Sequence, residues 1–192
     1  MKTLFIASEF EADFFTDGLT QVSEHIFEGD YRVVITGIGL VNTSISCTDF
    51  FTSHQPTQDD EYINAGIAGS VKNSLEIGQI IEPKCFKIYT PIEIPESSTI
   101  IFNTAYPTID RGDLLLASAM APVWGKEHIH SLKNMEAVAV DMEGYSFARV
   151  CAKHNLPFRV AKVISDHLIK RDHNKFIENS KHGLKKLRDY LI

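Results

Sequence analysis

At 192 residues and 44% hydrophobic content the chain is long enough to bury a full core, and a single domain over 1–192 is expected. A formal net charge of −6 excludes a surface built to track nucleic-acid phosphates, which needs clustered Lys and Arg to displace counterions. No stretch approaches the roughly 18 apolar residues that cross a bilayer, and Met1–Ala7 is shorter than a secretory apolar region, so a cytoplasmic protein binding neither nucleic acid nor membrane is expected.

The run Thr3-Leu4-Phe5-Ile6-Ala7 predicts a buried strand that ends where Ser8, Glu9 and Glu11 begin. Arg32-Val33-Val34-Ile35-Thr36 predicts a second, stopping at Gly37-Ile38-Gly39 and followed by Val41, Ile45 and Phe50 at helical intervals. Cys47, Cys85 and Cys151 show no paired spacing, and an odd number points to thiols in a reducing compartment. Tyr62-Ile63-Asn64-Ala65 leads into Gly66-Ile67-Ala68-Gly69, and Gln79-Ile80-Ile81 follows Gly78 as a further strand. Residues 84–110 hold Pro91, Pro95 and Pro107 between short β-branched runs and predict irregular strands and loops. Strands are predicted over Asp113–Ala117 and Ala137–Val140. Met142, Tyr145, Ala148 and Cys151 then recur at helical spacing up to Asn155. Phe158–Ile164 is a last strand, and Ile177, Leu184, Leu187 and Leu191 mark one apolar face of a closing helix. Lys181, Lys185, Lys186 and Arg188 fall on its outward side, where they solvate it.

This alternation predicts an α/β fold, a three-layer αβα sandwich around a central mixed, largely parallel twisted sheet. Ligands in such folds gather outside the carboxyl ends of the strands. The polar or glycine-rich ends at Glu9–Glu11, Gly37–Gly39, Gly66–Gly69 and Ser165–Asp166 are therefore candidates for one shared site. Asp166, at the end of an apolar strand, is placed either to act as a general acid or simply to cap the next turn. Asp141 and Glu143 stand at a strand-to-helix junction, where they cap a helix or accept hydrogen bonds from sugar hydroxyls. Neither glycine turn carries a P-loop or a full dinucleotide fingerprint. His128-Ile129-His130 and the pair His167 and His173 lack zinc-ligand spacing, so neither metal nor cofactor is expected.

Together, Ala7-Ser8-Glu9-Phe10-Glu11, Thr36–Val41, Ile63–Gly69, Val140-Asp141-Met142-Glu143 and Val163-Ile164-Ser165-Asp166 resemble the nucleoside phosphorylase and nucleosidase superfamily. Their order and separation are most similar to its hydrolytic branch of methylthioadenosine/S-adenosylhomocysteine nucleosidases. The resemblance implies a hydrolase that cleaves a purine nucleoside to free base and a ribose derivative. Asp166 would donate a proton toward N7 of the base, and Glu11, with Glu9 as the alternative in register, would activate the attacking water. Met142 would pack against the sugar and Glu143 would take its 2′- and 3′-hydroxyls. Ser8, Gly66, Ile67 and Ser165 belong to the same substrate-binding motifs, and Phe176, ten residues after Asp166, matches a phenylalanine near the ribose and its 5′-substituent. Phe176 is equally readable as a core aromatic at a helix start.

Phosphorylases of this superfamily hold phosphate with an arginine before the Gly-x-x-Gly turn and with an arginine-containing loop after the first strand. Asn64 and the acidic Ser8–Glu11 segment stand there in this chain, and acids in the anion's place favour water over phosphate. The chain also departs from the pattern. The region between Pro83 and Arg111 is shorter than in typical methylthioadenosine nucleosidases, Ile67 replaces a common serine, and Ser8 replaces a methionine. Asn64–Gly69 and Met142-Glu143-Gly144 are also similar to futalosine hydrolases, several of which carry Asn at the position of Asp166. The family implies a homodimer. A phosphorylase and a non-catalytic nucleoside-binding module remain the alternatives.

Overall fold

The computed structural model describes residues 1–72, 74–90, 109–110, 113–169 and 172–192, the pair 109–110 by backbone alone. Strand β1 (Lys2–Ile6) lies between β4 (Arg32–Ile35) and β5 (Glu61–Ser70), parallel to both. A strand paired on both edges and covered on both faces has no solvent side, so Leu4, Phe5 and Ile6 are consecutive apolar residues and all fully buried. β5 is the hub. Its first half pairs with β1, its end runs antiparallel to β10 (Ala137–Asp141), and along nearly its whole length it pairs in parallel with β11 (Phe158–Asp166). Beyond β10 the sheet continues through β9 (Leu115–Ala119), β7 (Cys85–Tyr89) and β8 (Ile109–Asp110). It is closed on the other side by the antiparallel strands β2 (Thr20–Ser23) and β3 (Ile26–Glu28), while β6 (Ile80–Ile81) flanks β11.

Alternation along the strands divides the core into two layers. Phe5, Val34, Tyr62, Val160 and Ile164 face helices α2 (Leu40–Ser53) and α4 (Gly144–Lys153), meeting Cys47, Phe50, Phe51, Phe147 and Cys151. Phe5 anchors this layer, with its ring centroid 5.3 Å from that of Phe50 and 5.1 Å from that of Phe147. Burying one such aromatic contributes about 2–3 kcal/mol. On the opposite face Leu4, Ile6, Ile63, Ala161 and Val163 pack on Leu184, Leu187 and Leu191 of α5 (His173–Leu191), while the one-turn helix α1 (Glu9–Ala12) adds Ala12. Leu132 of α3 (Lys126–Asn134) covers Leu115, Ala117 and Ala137. The expected three-layer arrangement is the one observed. Among the described residues no helix is long and apolar enough to cross a membrane.

Several local expectations need correction. In α2 the buried positions are Thr43, Cys47, Phe50 and Phe51, whereas Val41 and Ile45 are 63% and 56% exposed. The helix is as predicted, but two of the three apolar residues used to infer it lie off its packed stripe. Met142 precedes α4 instead of opening it. Neither α3, whose sequence is mostly polar, nor the β2–β3 hairpin, whose β2 is exposed throughout, was signalled by apolar periodicity. Of the segment 84–110, the strand β7 and the backbone of β8 are regular; the expectation for 91–108, including the loops around Pro91, Pro95 and Pro107, lies outside the described residues.

Candidate active site

The carboxyl ends of β1, β5, β10 and β11 open on one cleft of about 380 Å³. Ile38 from the turn before α2, Ala121–Trp124 after β9, and Phe176 and Ile177 of α5 complete its walls. Gly37 and Gly39 carry φ of 79° and 95°, a left-handed region that glycine enters without penalty, and this lets the chain leave β4 and start α2 within a few residues.

Ser8 fixes the first carboxylate. It is the N-cap of α1, extended at φ −136°, and its Oγ accepts from Glu11 N–H at 3.4 Å while donating to Glu11 Oε2 at 2.9 Å. Glu11 Oε1 accepts from Ile67 N–H at 3.1 Å, so both oxygens are held and the residue is buried. Burial pushes the Glu11 carboxyl above the ordinary glutamate range; Lys162 and the hydrogen bonds from Ser8 and Ile67 oppose the shift without cancelling it. Glu9 is exposed and does not line the cleft. Gly66 lies behind the cleft wall: a methyl group there would stand 2.8 Å from Glu11 Oε1 and 3.5 Å from Lys162 Nζ.

Lys162 was missed in the sequence. It sits mid-strand in β11, is 1% exposed, and sends its ammonium 3.0 Å from Asp141 Oδ2 and 3.9 Å from Glu143 Oε2. Burial by itself disfavours the ammonium, but Asp141, Glu143 and Glu11 more than offset this and hold its pKa above the usual lysine value. Asp141 is tied further by Ser118 Oγ at 2.5 Å and Gly144 N–H at 2.8 Å. Glu143 Oε1 accepts from Gly39 N–H at 2.8 Å, bridging the glycine turn to the junction before α4. Burial, against the pull of Lys162 and with repulsion from Asp141 and Glu11, pushes the Glu143 carboxyl up to about 7. Three carboxyl groups around one ammonium cannot all ionise cheaply, and Glu11 and Glu143 both hold a proton more tightly than an ordinary glutamate.

Asp166 ends β11, half-buried. Its Oδ1 accepts from Ser165 Oγ at 2.8 Å and its Oδ2 from Leu168 N–H at 3.0 Å. Asn179 of α5 braces the same turn by donating to Ser165 O at 3.1 Å. Of the positions singled out in the sequence, Ser8, Glu11, Ile67, Met142, Glu143, Ser165, Asp166 and Phe176 all line the cleft. The arrangement places one half-buried carboxyl at a strand end and a second carboxyl group, buried and doubly hydrogen-bonded, on the same cleft. A third, Glu143, accepts from Gly39 N–H at Oε1 and lies 3.9 Å from Lys162 at Oε2, where it lines the cleft.

The sequence model of the Phosphorylase superfamily matches residues 115–192. A Staphylococcus aureus 5′-methylthioadenosine/S-adenosylhomocysteine nucleosidase is 30% identical over 83% of this chain and 83% of its own length. Among solved structures, the Helicobacter pylori 5′-methylthioadenosine/S-adenosylhomocysteine nucleosidase with butyl-thio-DADMe-Immucillin-A is 20% identical, covers 99% of this chain and 95% of that one, and superposes with a TM-score of 0.78. The futalosine hydrolase of Helicobacter pylori gives the same TM-score of 0.78 at 19% identity, covering 99% of this chain and 94% of that one. At those identities the two structures speak for the fold alone, whereas the Staphylococcus aureus relative speaks for the family. The chain belongs to the nucleoside phosphorylase and nucleosidase superfamily, in its nucleosidase branch, and is a nucleoside hydrolase.

Proposed function

We propose that this hydrolase acts on a purine nucleoside of the 5′-methylthioadenosine/S-adenosylhomocysteine type, releasing free base and the ribose derivative. The observation that carries the reading is that Glu11, Glu143 and Asp166 line one cleft whose charged side chains are all acidic among the described residues. The nearest cation, Lys162, is already held by carboxylates. Such a wall accepts a neutral nucleoside and opposes phosphate, so water is the nucleophile.

In this reading Asp166 gives a proton to N7 as the glycosidic bond lengthens, and the base leaves neutral while the sugar becomes oxocarbenium-like. Glu11 takes a proton from the attacking water. Its raised pKa makes it the stronger base, and its hydrogen bonds to Ile67 and Ser8 keep it aimed. Glu143 accepts from the 2′- and 3′-hydroxyls in its ionised form, and Met142 packs against the ribose. Phe176, with Ile177 and Phe10, supplies an apolar surface suited to an uncharged 5′-group. This is the division between acid and base carboxyls by which glycosidic bonds are commonly split. The same reading makes the protein a cytoplasmic homodimer serving methionine salvage.

The test is Asp166→Asn. Loss of the acid is expected to slow adenine release from 5′-methylthioadenosine by about 10²–10⁴-fold with the far-UV spectrum unchanged. Release at the parental rate would sink the assignment. Futalosine assayed in parallel decides the base, and formation of ribose 1-phosphate only when phosphate is added would mark phosphorolysis instead.

A further inference from the structure

Leu168, two residues beyond Asp166, is buried at 5% exposure with φ at +61°, in the left-handed region. For a non-glycine residue that conformation costs roughly 1–2 kcal/mol and persists where the surroundings over-determine it. Three contacts do so here. Its N–H donates to Asp166 Oδ2 at 3.0 Å, and its carbonyl accepts from Gly125 N–H at 2.7 Å. Its side chain occupies the space a Cβ on Gly69 would need: a methyl group there would overlap Leu168 Cδ2 outright and stand 3.0 Å from Cγ. Gly69 is the strand partner of Asp166, and Gly125 is the N-cap of α3, directly following the Ala121–Trp124 wall of the cleft.

We infer that Leu168 is a positioning residue for the reaction: its left-handed turn, seated on Gly69, fixes the Asp166 carboxyl and the Trp124-bearing wall in one register. The inference rests on the reading of Asp166 as the acid. A purine in the cleft must present N7 to Asp166 while its faces meet apolar walls. With acid and wall hung from the N–H and the C=O of one residue whose turn is fixed, their separation is held when the base enters. Misplacement of an acid by about 1 Å costs as much as 10²-fold in rate, so the turn matters to kcat without the residue doing chemistry.

The experiment is a cycle of Gly69→Ala, Leu168→Ala and the double variant, assayed with 5′-methylthioadenosine and by the emission of Trp124, the chain's one tryptophan. Gly69→Ala evicts the Leu168 side chain and is expected to lower kcat at least about tenfold, with KM changed less than about threefold, and to shift the Trp124 emission. Adding Leu168→Ala makes room for the new methyl and is expected to recover kcat to within about threefold of the Leu168→Ala single variant and to return the emission. A seat that matters only to packing would lower the unfolding midpoint while leaving kcat per folded molecule unchanged. Parental kcat in folded Gly69→Ala, no recovery in the double variant, or emission unmoved throughout overturns the inference. If Gly69→Ala does not fold, Leu168→Gly against Leu168→Ala decides. Glycine takes the left-handed turn freely and is expected to keep at least about threefold more kcat, and equal values overturn the inference. An Asp166→Asn variant at the parental rate removes the acid itself, whereas an inactive Asp166→Asn beside a fully active Gly69→Ala removes only this role of Leu168.

Discussion

Replacing Glu143 by Gln removes one titration and keeps an acceptor for Gly39 N–H, so its effect on stability isolates the proton. The unfolded chain releases this proton near the ordinary value of 4.5, while the folded protein holds it to about 7. Between those values the folded state binds more protons, so stability falls as pH rises; the stabilising contribution is whole below about 4.5 and lost as pH passes 7. At about 1.4 kcal/mol per pH unit the interval corresponds to about 3 kcal/mol, an upper bound for a carboxyl coupled to its neighbours. Glutamine pays nothing to stay neutral. Glu11 and Asp141 are present in both proteins, and the loss of their repulsion with Glu143 acts in the same direction. Urea denaturation of parent and variant from pH 5 to pH 8 should show Glu143→Gln gaining on the parent as pH rises, by up to about 3 kcal/mol, with m-values unchanged. A difference that is flat with pH, or that moves in the parent's favour, would refute the account of this cluster as short of positive charge.

Lys162→Met is expected to destabilise the fold by about 3–5 kcal/mol at pH 8, because it leaves buried carboxylates without their cation. The loss should shrink toward pH 5 as Glu143 takes up its proton, and urea midpoints at the two pH values check this. Gly66→Ala places a methyl 2.8 Å from Glu11 Oε1 and is expected to slow base release at least about tenfold while Asp166 is untouched, measured as kcat for 5′-methylthioadenosine. Added phosphate is expected to leave the rate of base release unchanged, and a rate that rises with phosphate would contradict the acidic wall as its reason.

The strands and the cleft's acids were legible because their signals are local. Leu4-Phe5-Ile6 is apolar on consecutive positions only because β1 is covered on both faces, and Asp166 or Glu143 is visible as a polar residue where such a run stops. What escaped depends on partners distant in sequence. Val41 and Ile45 looked like a packed face until the helix was seated on Thr43 and Cys47 instead. The left-handed turn at Leu168 has no local mark at all, since its reason is the bare Cα of Gly69 and an N–H of Gly125. Lys162 is different. In the run Phe158–Ile164 it resembles any strand residue, and its carboxylate neighbours come from β10, the junction after it and α1. Yet a signal was present. Glu11 is legible at a strand end of the shared site and Asp141 and Glu143 at a strand-to-helix junction, and carboxylates that become buried require a cation, a metal or a proton. With metal-ligand spacing absent, the lysine inside the apolar strand predicted over Phe158–Ile164 was the cation to look for. The site's acids imply it by charge balance before any contact is measured, and three carboxyl groups around one lysine leave an excess of negative charge, which is why burial and repulsion push the Glu143 carboxyl up.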